Sequence, residues 1–196
     1  VLFFLLTSLC LQLRAEETTL TIRARAKDAK FIGSSIGGAM IIVRDGVTNE
    51  VLAQGLTVGS TGNTQQIMKT AHERYAQLSD ASTAAFVATL DIDEPTWLTV
   101  EAIAPYQLRS AAVRVSTQLW LLPGKHITGD GLVLEIPGFA VSVVGPQAHQ
   151  YLSKEQSLSI EANVVMNCGC TISPGGIWDG DQLQVEARIS RNGELL

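Results

Sequence analysis

The feature that most constrains this chain is a two-residue alternation of apolar and polar side chains that recurs along most of its length. Successive side chains of a strand point to opposite faces, so an apolar residue at every second position predicts a strand with one buried face. Segment 18–26 places Leu20, Ile22 and Ala24 on one side. Arg23 lies on the other side, and we expect that basic side to be a solvated strand face.

Further short strand-like segments follow, separated by turn residues; most show the same alternation, and 39–45 is a continuous apolar run. These segments are 39–45, 51–55, 85–92, 97–104, 111–122, 132–136, 139–144, 158–170 and 182–190. Short strands at this spacing are typical of β-sandwiches or barrels. We therefore predict a mainly β protein built of tandem β-sandwich domains, either Greek-key and transthyretin-like or immunoglobulin-like.

One stretch has helical spacing instead. In 65–78, apolar residues recur three or four positions apart from Ile67 to Leu78. Asn63 followed by Gln66 resembles a capping box at the start of a helix. We predict one amphipathic helix over 65–78, lying on the first sandwich.

The Pro137–Gly138 dipeptide is the predicted junction between two domains, because Pro and Gly together interrupt regular structure. This gives a first β-sandwich over 16–137 and a second, immunoglobulin-like one over 138–196. In the second domain, strand 182–190 is followed by an Asn-Gly turn and only the beginning of a return strand. We expect this domain to be incomplete at its C-terminus.

The first residues form an apolar run, 1–13, that ends before Arg14. A spanning helix needs roughly 20 apolar residues, so this shorter run favours a secretory signal peptide over 1–15, truncated at its start. A membrane anchor or a buried core helix is the alternative reading. With the signal peptide we expect an exported protein, periplasmic or extracellular, whose mature chain has no stable membrane span, and we expect Cys10 to leave with the leader.

Charge narrows the range of partners. The formal net charge is −5, and removal of 1–15 takes away only Arg14, which makes it −6. A mildly acidic chain is poorly suited to nucleic acid, so we expect no nucleic-acid partner. Two cysteines remain after the leader, too few for a disulfide scaffold.

Those two cysteines form a Cys-Gly-Cys sequence at the end of the apolar face of 158–170. If the strand stays extended, Cys168 and Cys170 both point into a core as free thiols. If Gly169 bends the chain, the two can form a disulfide, either structural or redox-active. They can also bind copper or zinc, with Met166 and His149 completing the site, because thiolates and thioethers are soft ligands.

Signals for catalysis are sparse. The three histidines lie in no recognisable catalytic motif, and carboxylate pairs occur in turns of most β proteins. Trp97, Trp120 and Trp178 can line a sugar or peptide groove, although large aromatic residues more often fill cores and interfaces. Of the three, we expect Trp178 to be exposed.

Two stretches carry a family resemblance: A-M-I-I-V-R-D-G-V-T-N-E-V-L-A-Q-G-L-T and the later F-V-A-T-L-D-I-D-E-P-T-W-L-T-V-E-A. A strand ending in Asp, a T-x-x-x-L turn and a later strand resemble the prealbumin-like or carboxypeptidase-regulatory-like sandwich domains. The resemblance covers about half of the chain and implies a small Greek-key fold in an accessory or binding module. The helix departs from that pattern, and no functional residue carries over.

We therefore expect an exported, non-catalytic β-sandwich module that binds or assembles through its second domain. The alternative is a periplasmic copper-binding or thiol-redox accessory protein that uses Cys168 and Cys170. An enzyme with a carboxylate site is the third class.

Overall fold

The computed structural model describes residues 16–151, 153 and 157–195; the predicted signal peptide lies outside the described residues. The protein is mainly β, as the alternation predicted. Its strands are β1 (Glu16–Ala26), β2 (Met40–Asp45), β3 (Val51–Leu56), β4 (Phe86–Ile92), β5 (Thr96–Ala104), β6 (Val113–Leu121), β7 (Ile127–Ile136), β8 (Phe139–Gly145), β9 (Glu161–Met166), β10 (Ser190–Arg191) and β11 (Glu194–Leu195).

The first seven strands form two sheets. One has the order β4-β1-β7, with β1 antiparallel to β4 and parallel to β7. The other has the order β3-β2-β5-β6 and is antiparallel throughout. The pairing of β1 with β7 joins residues more than 100 positions apart, so β1 holds distant parts of the chain together.

The inner faces of both sheets contribute to one hydrophobic core. Leu20 and Ile22 of β1 and Leu98 and Val100 of β5 are fully buried in the same cluster. Burying one such side chain contributes about 1.5–3 kcal/mol. The inward positions predicted for these two strands are confirmed.

Arg23 corrects the prediction of a solvated basic face on β1. It is buried and donates hydrogen bonds to the carbonyl oxygens of Thr83 (2.5 Å), Ala84 (2.8 Å) and Gly129 (3.3 Å). The reason is position, because β1 is the central strand of its sheet and its outer face is covered by the segment before β4. Burial lowers the pKa of Arg23, and the charge of Asp130 opposes that shift.

The predicted helix over 65–78 is wrong beyond its first turn. Only Gln65–Lys69 is helical, with π-type hydrogen bonding. The cap is present, since the side chain of Asn63 accepts a hydrogen bond from the Gln66 amide at 3.1 Å. Tyr75, however, has a left-handed backbone (φ 65°), which a continuous α-helix does not allow.

The apolar residues of this segment are buried without a helix. Ile67 and Leu78 pack with Phe31 in a second, smaller cluster. The amides of Leu78 and Ser79 donate to the carboxylate of Asp130 at 2.9 and 2.7 Å. This carboxylate takes the place of the helical carbonyls as the partner of the two amides.

The remaining strands form a hairpin, β8–β9, and a two-residue hairpin, β10–β11. The strand predicted over 182–190 is also wrong, because 183–189 has no strand pairing and only Ser190–Arg191 pairs with β11. The predicted Asn-Gly turn is present, with φ of 53° at Asn192 and 89° at Gly193.

The β8–β9 hairpin is attached to the two-sheet core at one end. Met166 and Cys168 belong to the main hydrophobic cluster, and Asn167 is fully buried. The side-chain amide nitrogen (Nδ2) of Asn167 donates to the carbonyl oxygens of Pro137 and Gly138, both at 2.9 Å. These contacts anchor the hairpin where it leaves β7, and the domain boundary at Pro137 stays a prediction.

Candidate functional site

The chain bends immediately after β9, at the Cys-Gly-Cys sequence. Gly169 has φ of 78°, and its amide donates to the carbonyl oxygen of Met166 at 2.7 Å. The Met166 amide donates in turn to the carbonyl oxygen of Cys170 at 3.1 Å. Glycine adopts this left-handed conformation without the penalty that a Cβ atom brings, so the sequence permits the turn here.

This turn places the sulfur atoms of Cys168 and Cys170 at disulfide distance, with the Cα atoms 5.4 Å apart. Of the two alternatives that the sequence left open, the structure has the bent chain. Cys168 is buried in the main core, whereas Cys170 is partly exposed. The two sulfurs therefore differ in their access to solvent.

A cleft of about 380 Å³ opens beside the pair, with Lys30, Ser35, Thr61, Thr171 and Trp178 among its lining residues. A second cleft, of about 470 Å³, lies on the other side of Trp178. Its walls are Lys27, Asp28, Gly138, Phe139, Met166, Trp178, Asp179, Gln182 and Leu183. The size and the partly apolar lining of the second cleft are those of sites that take an apolar group.

Trp178 separates the two clefts and is held in place by both its ring and its loop. Its indole nitrogen donates to the carbonyl oxygen of Asp28 at 3.0 Å. The neighbouring Asp179 accepts from the amides of Gly175 (2.8 Å) and Asp181 (3.1 Å), and these bonds lower the pKa of Asp179. The expectation that Trp178 is exposed is wrong, because the ring is partly buried against the core.

The open face of the β8–β9 hairpin continues from the larger cleft. Phe139, Val141 and Val143 alternate along β8 and are 41%, 45% and 64% exposed. A further cleft of about 230 Å³ follows them, and it shares Phe139 and Leu183 with the 470 Å³ cleft. We call the exposed apolar side of the hairpin, with these two clefts, the hairpin face.

The segment that leads into β9 has exposed positions that the sequence placed in a core. Leu158 and Ile160, predicted to face inward, are 44% and 40% exposed and precede β9. Of that apolar series, Met166 is the residue that reaches the main core. The prediction of a buried face along 158–166 is therefore wrong except at its C-terminal end, because no second sheet covers the hairpin among the described residues.

The predicted metal ligands are brought together only in part. Met166, Cys168 and Cys170 are neighbours in the turn, whereas His149 lies in an exposed turn with φ of 63°. Among the residues that the structure describes, no group of three or more His, Cys, Asp or Glu side chains is arranged to hold a metal ion. Copper or zinc at this turn would therefore rest on the two sulfurs and the thioether of Met166.

Comparison with known proteins leaves the site to be interpreted from its own geometry. No family model, no curated protein and no solved structure matches the chain. Within residues 16–151, 153 and 157–195, no helix has the length and apolar character needed to cross a membrane.

Proposed function

We propose that this protein is an exported, non-catalytic β-sandwich module that binds a protein partner, and that it does so by accepting an extended apolar strand on its hairpin face. The single observation that carries the proposal is an unfinished two-stranded sheet with an exposed apolar side. The proposal retains tandem sandwiches, transthyretin-like or immunoglobulin-like, as its expected architecture.

The sheet is unfinished in a physical sense. Within the described residues the sheet has only β8 and β9, and the outer edge of β9 carries a single isolated bridge, between Val165 and Thr171, near its C-terminal end. The rest of the outer edges has no ladder. A two-stranded hairpin is marginally stable by itself, and a third strand or a packed layer normally completes it. Here the Met166 end is packed on the core and the short turn Arg109–Ala111 contacts β8, whereas Val143 is 64% exposed.

An added strand fits both features of this surface. Its main chain would pair with the free hairpin edge, and its alternate side chains would enter the clefts beside Phe139 and Val141. Main-chain pairing supplies affinity in this mode of recognition, and side-chain pockets supply specificity. Segment 183–189, which alternates like a strand yet has no strand partner, lines one of these clefts and is available to reorder on binding.

A fluorescein-labelled heptapeptide of alternating Val and Thr tests this function, with a proline-containing version that cannot form a continuous ladder as the control. Fluorescence polarisation should show binding of the first peptide only. Val143→Lys should weaken binding about tenfold or more, because a buried lysine would be left without a partner. Val47→Lys is the matched control, since Val47 is 83% exposed in the turn between β2 and β3, away from the hairpin.

Equal binding of the two peptides, no binding of the alternating peptide, or no effect of Val143→Lys would contradict the proposal. A dimer in sedimentation equilibrium that Val143→Lys dissociates would assign the face to a second copy of the chain instead.

The thiol-redox function is the second candidate, and the unequal exposure of the two sulfurs favours it. Both cysteines line the 380 Å³ cleft, but Cys168 is buried and Cys170 is partly exposed, so Cys170 is the more accessible to an attacking thiolate. Attack of a substrate thiolate on the Cys170 sulfur would break the disulfide and release Cys168 as the leaving thiolate. A trapped mixed disulfide on Cys170 in a Cys168→Ser variant, absent from the Cys170→Ser variant, would support this chemistry; equal trapping would not.

A further inference from the structure

A second surface lies on the opposite unit of the molecule, on the outer face of the sheet β3-β2-β5-β6. Trp97 of β5 and Trp120 of β6 are directly paired across the two strands, with ring centroids 5.1 Å apart. Trp120 is 60% exposed although it is a large aromatic residue on an edge strand. Exposed apolar side chains on an edge strand favour aggregation, so this ring carries a cost unless it has a use.

Trp120 packs against a neighbouring ring that is itself held in place. Trp97 packs against it on one side and against Gly46 on the other, where a Cβ atom would overlap the indole ring. The Gly46 amide also donates to the carbonyl oxygen of Trp97 at 2.7 Å. The two rings are thus a preformed platform, and a ligand that stacks on Trp120 does not have to order it first.

Polar groups follow the platform along the same face of β5 and β6. Thr99 and Gln118 are the next outward pair, and the Gln118 amide donates to the Thr99 hydroxyl at 3.1 Å. Glu101 comes next, opposite Ser116. Side chains two residues apart on a strand are separated by about 6.6 Å, so the row from the tryptophans to Glu101 is about 13 Å long.

Two arginines complete the row at Glu101. Arg44 Nε and Arg114 Nη1 each lie 3.6 Å from an oxygen of that carboxylate. Arg114 is 63% exposed and keeps donors free for a ligand. The face therefore combines one stacking ring with an amide, hydroxyls, a carboxylate and guanidinium groups along two neighbouring strands.

This combination argues for a particular ligand chemistry. A protein interface has an apolar centre with charged groups depleted, whereas here the charges lie along the middle of the face and the apolar group lies at one end. Single-stranded nucleic acid also stacks on tryptophan, but it needs a basic groove along its backbone, and the two arginines of this face are both paired with Glu101. A pyranose sugar has an apolar C–H side that stacks on an indole and hydroxyls at its rim that pair with amides, carboxylates and guanidinium groups.

We propose that the outer face of this sheet, from Trp120 to Glu101, binds a chain of pyranose sugars laid along β5 and β6. Trp120 stacks on one sugar ring, Gln118 and Glu101 pair with hydroxyl groups of the following rings, and Arg114 pairs with their hydroxyl or carboxylate groups. This site is independent of the hairpin face, so either proposal can fail alone.

Affinity electrophoresis in native gels tests the site, with hydroxyethylcellulose as a neutral probe and polygalacturonate as an acidic one. At least one of the two polymers should slow the migration of the wild-type protein in the gel. Trp120→Ala should weaken binding about tenfold or more, because its stacking ring is removed. Tyr75→Ala is the matched control, since Tyr75 is 94% exposed and lies away from the face.

Gln118→Ala keeps the test decisive if Trp120→Ala fails to fold, and it should weaken binding to a smaller extent. Slowing by both polymers identifies stacking as the main contact, and slowing by polygalacturonate alone identifies pairing with the guanidinium groups. No slowing of the wild-type protein, or equal slowing of wild type and Trp120→Ala, would overturn the proposal. Binding of oligothymidylate in place of both polymers, if it is lost in Trp120→Ala, would also overturn it.

Discussion

The two-sheet unit and the β8–β9 hairpin show the same sequence pattern with different outcomes. Leu20 and Ile22 on β1 and Leu98 on β5 are fully buried. On the hairpin, Val141 and Val143 alternate in the same way and are 45% and 64% exposed. The pattern specifies a strand in both places, but it produces a core only where a second sheet lies opposite.

This difference shows which apolar face of the molecule is left exposed. An apolar face that already packs against another sheet contributes to the stability of the fold. A face that does not pack remains available to a partner, and large exposed apolar surfaces in soluble proteins commonly mark interaction sites. The comparison therefore supports the hairpin face as the binding surface.

The largest expected effect on stability comes from comparing a leucine-to-alanine substitution in each of the two regions. Leu98→Ala should lower the free energy of unfolding by about 2–5 kcal/mol, because it leaves a cavity between the sheets. Leu158→Ala, at a position 44% exposed, should change it by about 0.5 kcal/mol or less. Urea denaturation measures both values, and similar losses in the two variants would remove the distinction between the regions.

Removal of the buried arginine should have the next largest effect. Arg23→Met deletes the donors that bond the carbonyl oxygens of Thr83 and Ala84, at a cost of about 1.5–3 kcal/mol. Arg25→Met is the control, because Arg25 forms a partly exposed ion pair with Glu135, and such pairs contribute about 1 kcal/mol or less. Chemical denaturation should separate the two variants; a larger loss for Arg25→Met would mean that the buried network is not a stabilising element.

Reduction of the Cys168–Cys170 pair should cost less, because the loop it closes is very short. The loop-entropy relation gives about 1.5 kcal/mol for three residues. We expect reduction to destabilise the turn and the hairpin rather than β1 and β5. Thermal melts of the wild type with and without a thiol reductant, and of the Cys168→Ser/Cys170→Ser double variant, measure it. A collapse of the whole fold on reduction would contradict the separation of the two regions.

Replacement of Asp130 should have the smallest effect of the four changes on the free energy of unfolding. This effect depends on pH. Burial would raise the pKa of Asp130, but hydrogen bonds from Ser79 and Leu78 and the charge of Arg23 lower it below its ordinary value. A lowered pKa in the folded state adds stability above the unfolded pKa of about 3.9, and that stability is lost as the pH falls through the folded pKa.

Asp130→Asn should therefore lose about 1 kcal/mol at neutral pH, because a partly exposed carboxylate is replaced by a weaker acceptor. The difference from wild type should shrink as the pH is lowered below about 4. Urea midpoints measured at several pH values test this. A difference that grows in acid would show that the charged form of Asp130 does not stabilise the fold.

The sequence was sufficient for the local features of the fold. Alternation located β1 and β5 with their correct inner faces, the glycine at position 169 allowed the turn that pairs the two cysteines, and the Asn192–Gly193 turn formed as expected. Each of these depends on neighbours in the chain, and residue type is sufficient to indicate it.

Features that depend on distant partners could not be predicted in this way. The burial of Arg23 follows from the pairing of β1 with β7 and from the carbonyl oxygens of a loop some 60 residues away. The helical turn ends at Lys69, and at the other end of the segment the amides of Leu78 and Ser79 bond to Asp130, a distant residue in the sequence. The Trp120 platform depends on its position opposite Trp97 across β5 and β6, which the register decides.

We propose that the β8–β9 hairpin is open and accepts a strand, whereas the sheets of the two-sheet unit already pack against each other. Hydrogen–deuterium exchange with mass spectrometry tests it most directly, by comparing peptides from β8 and β5 with and without the alternating Val-Thr heptapeptide. We predict that β8 amides exchange at least about tenfold faster than those of β5, and that the heptapeptide slows β8 alone. Protection of β8 equal to that of β5 without the peptide, and unchanged with it, would contradict the claim.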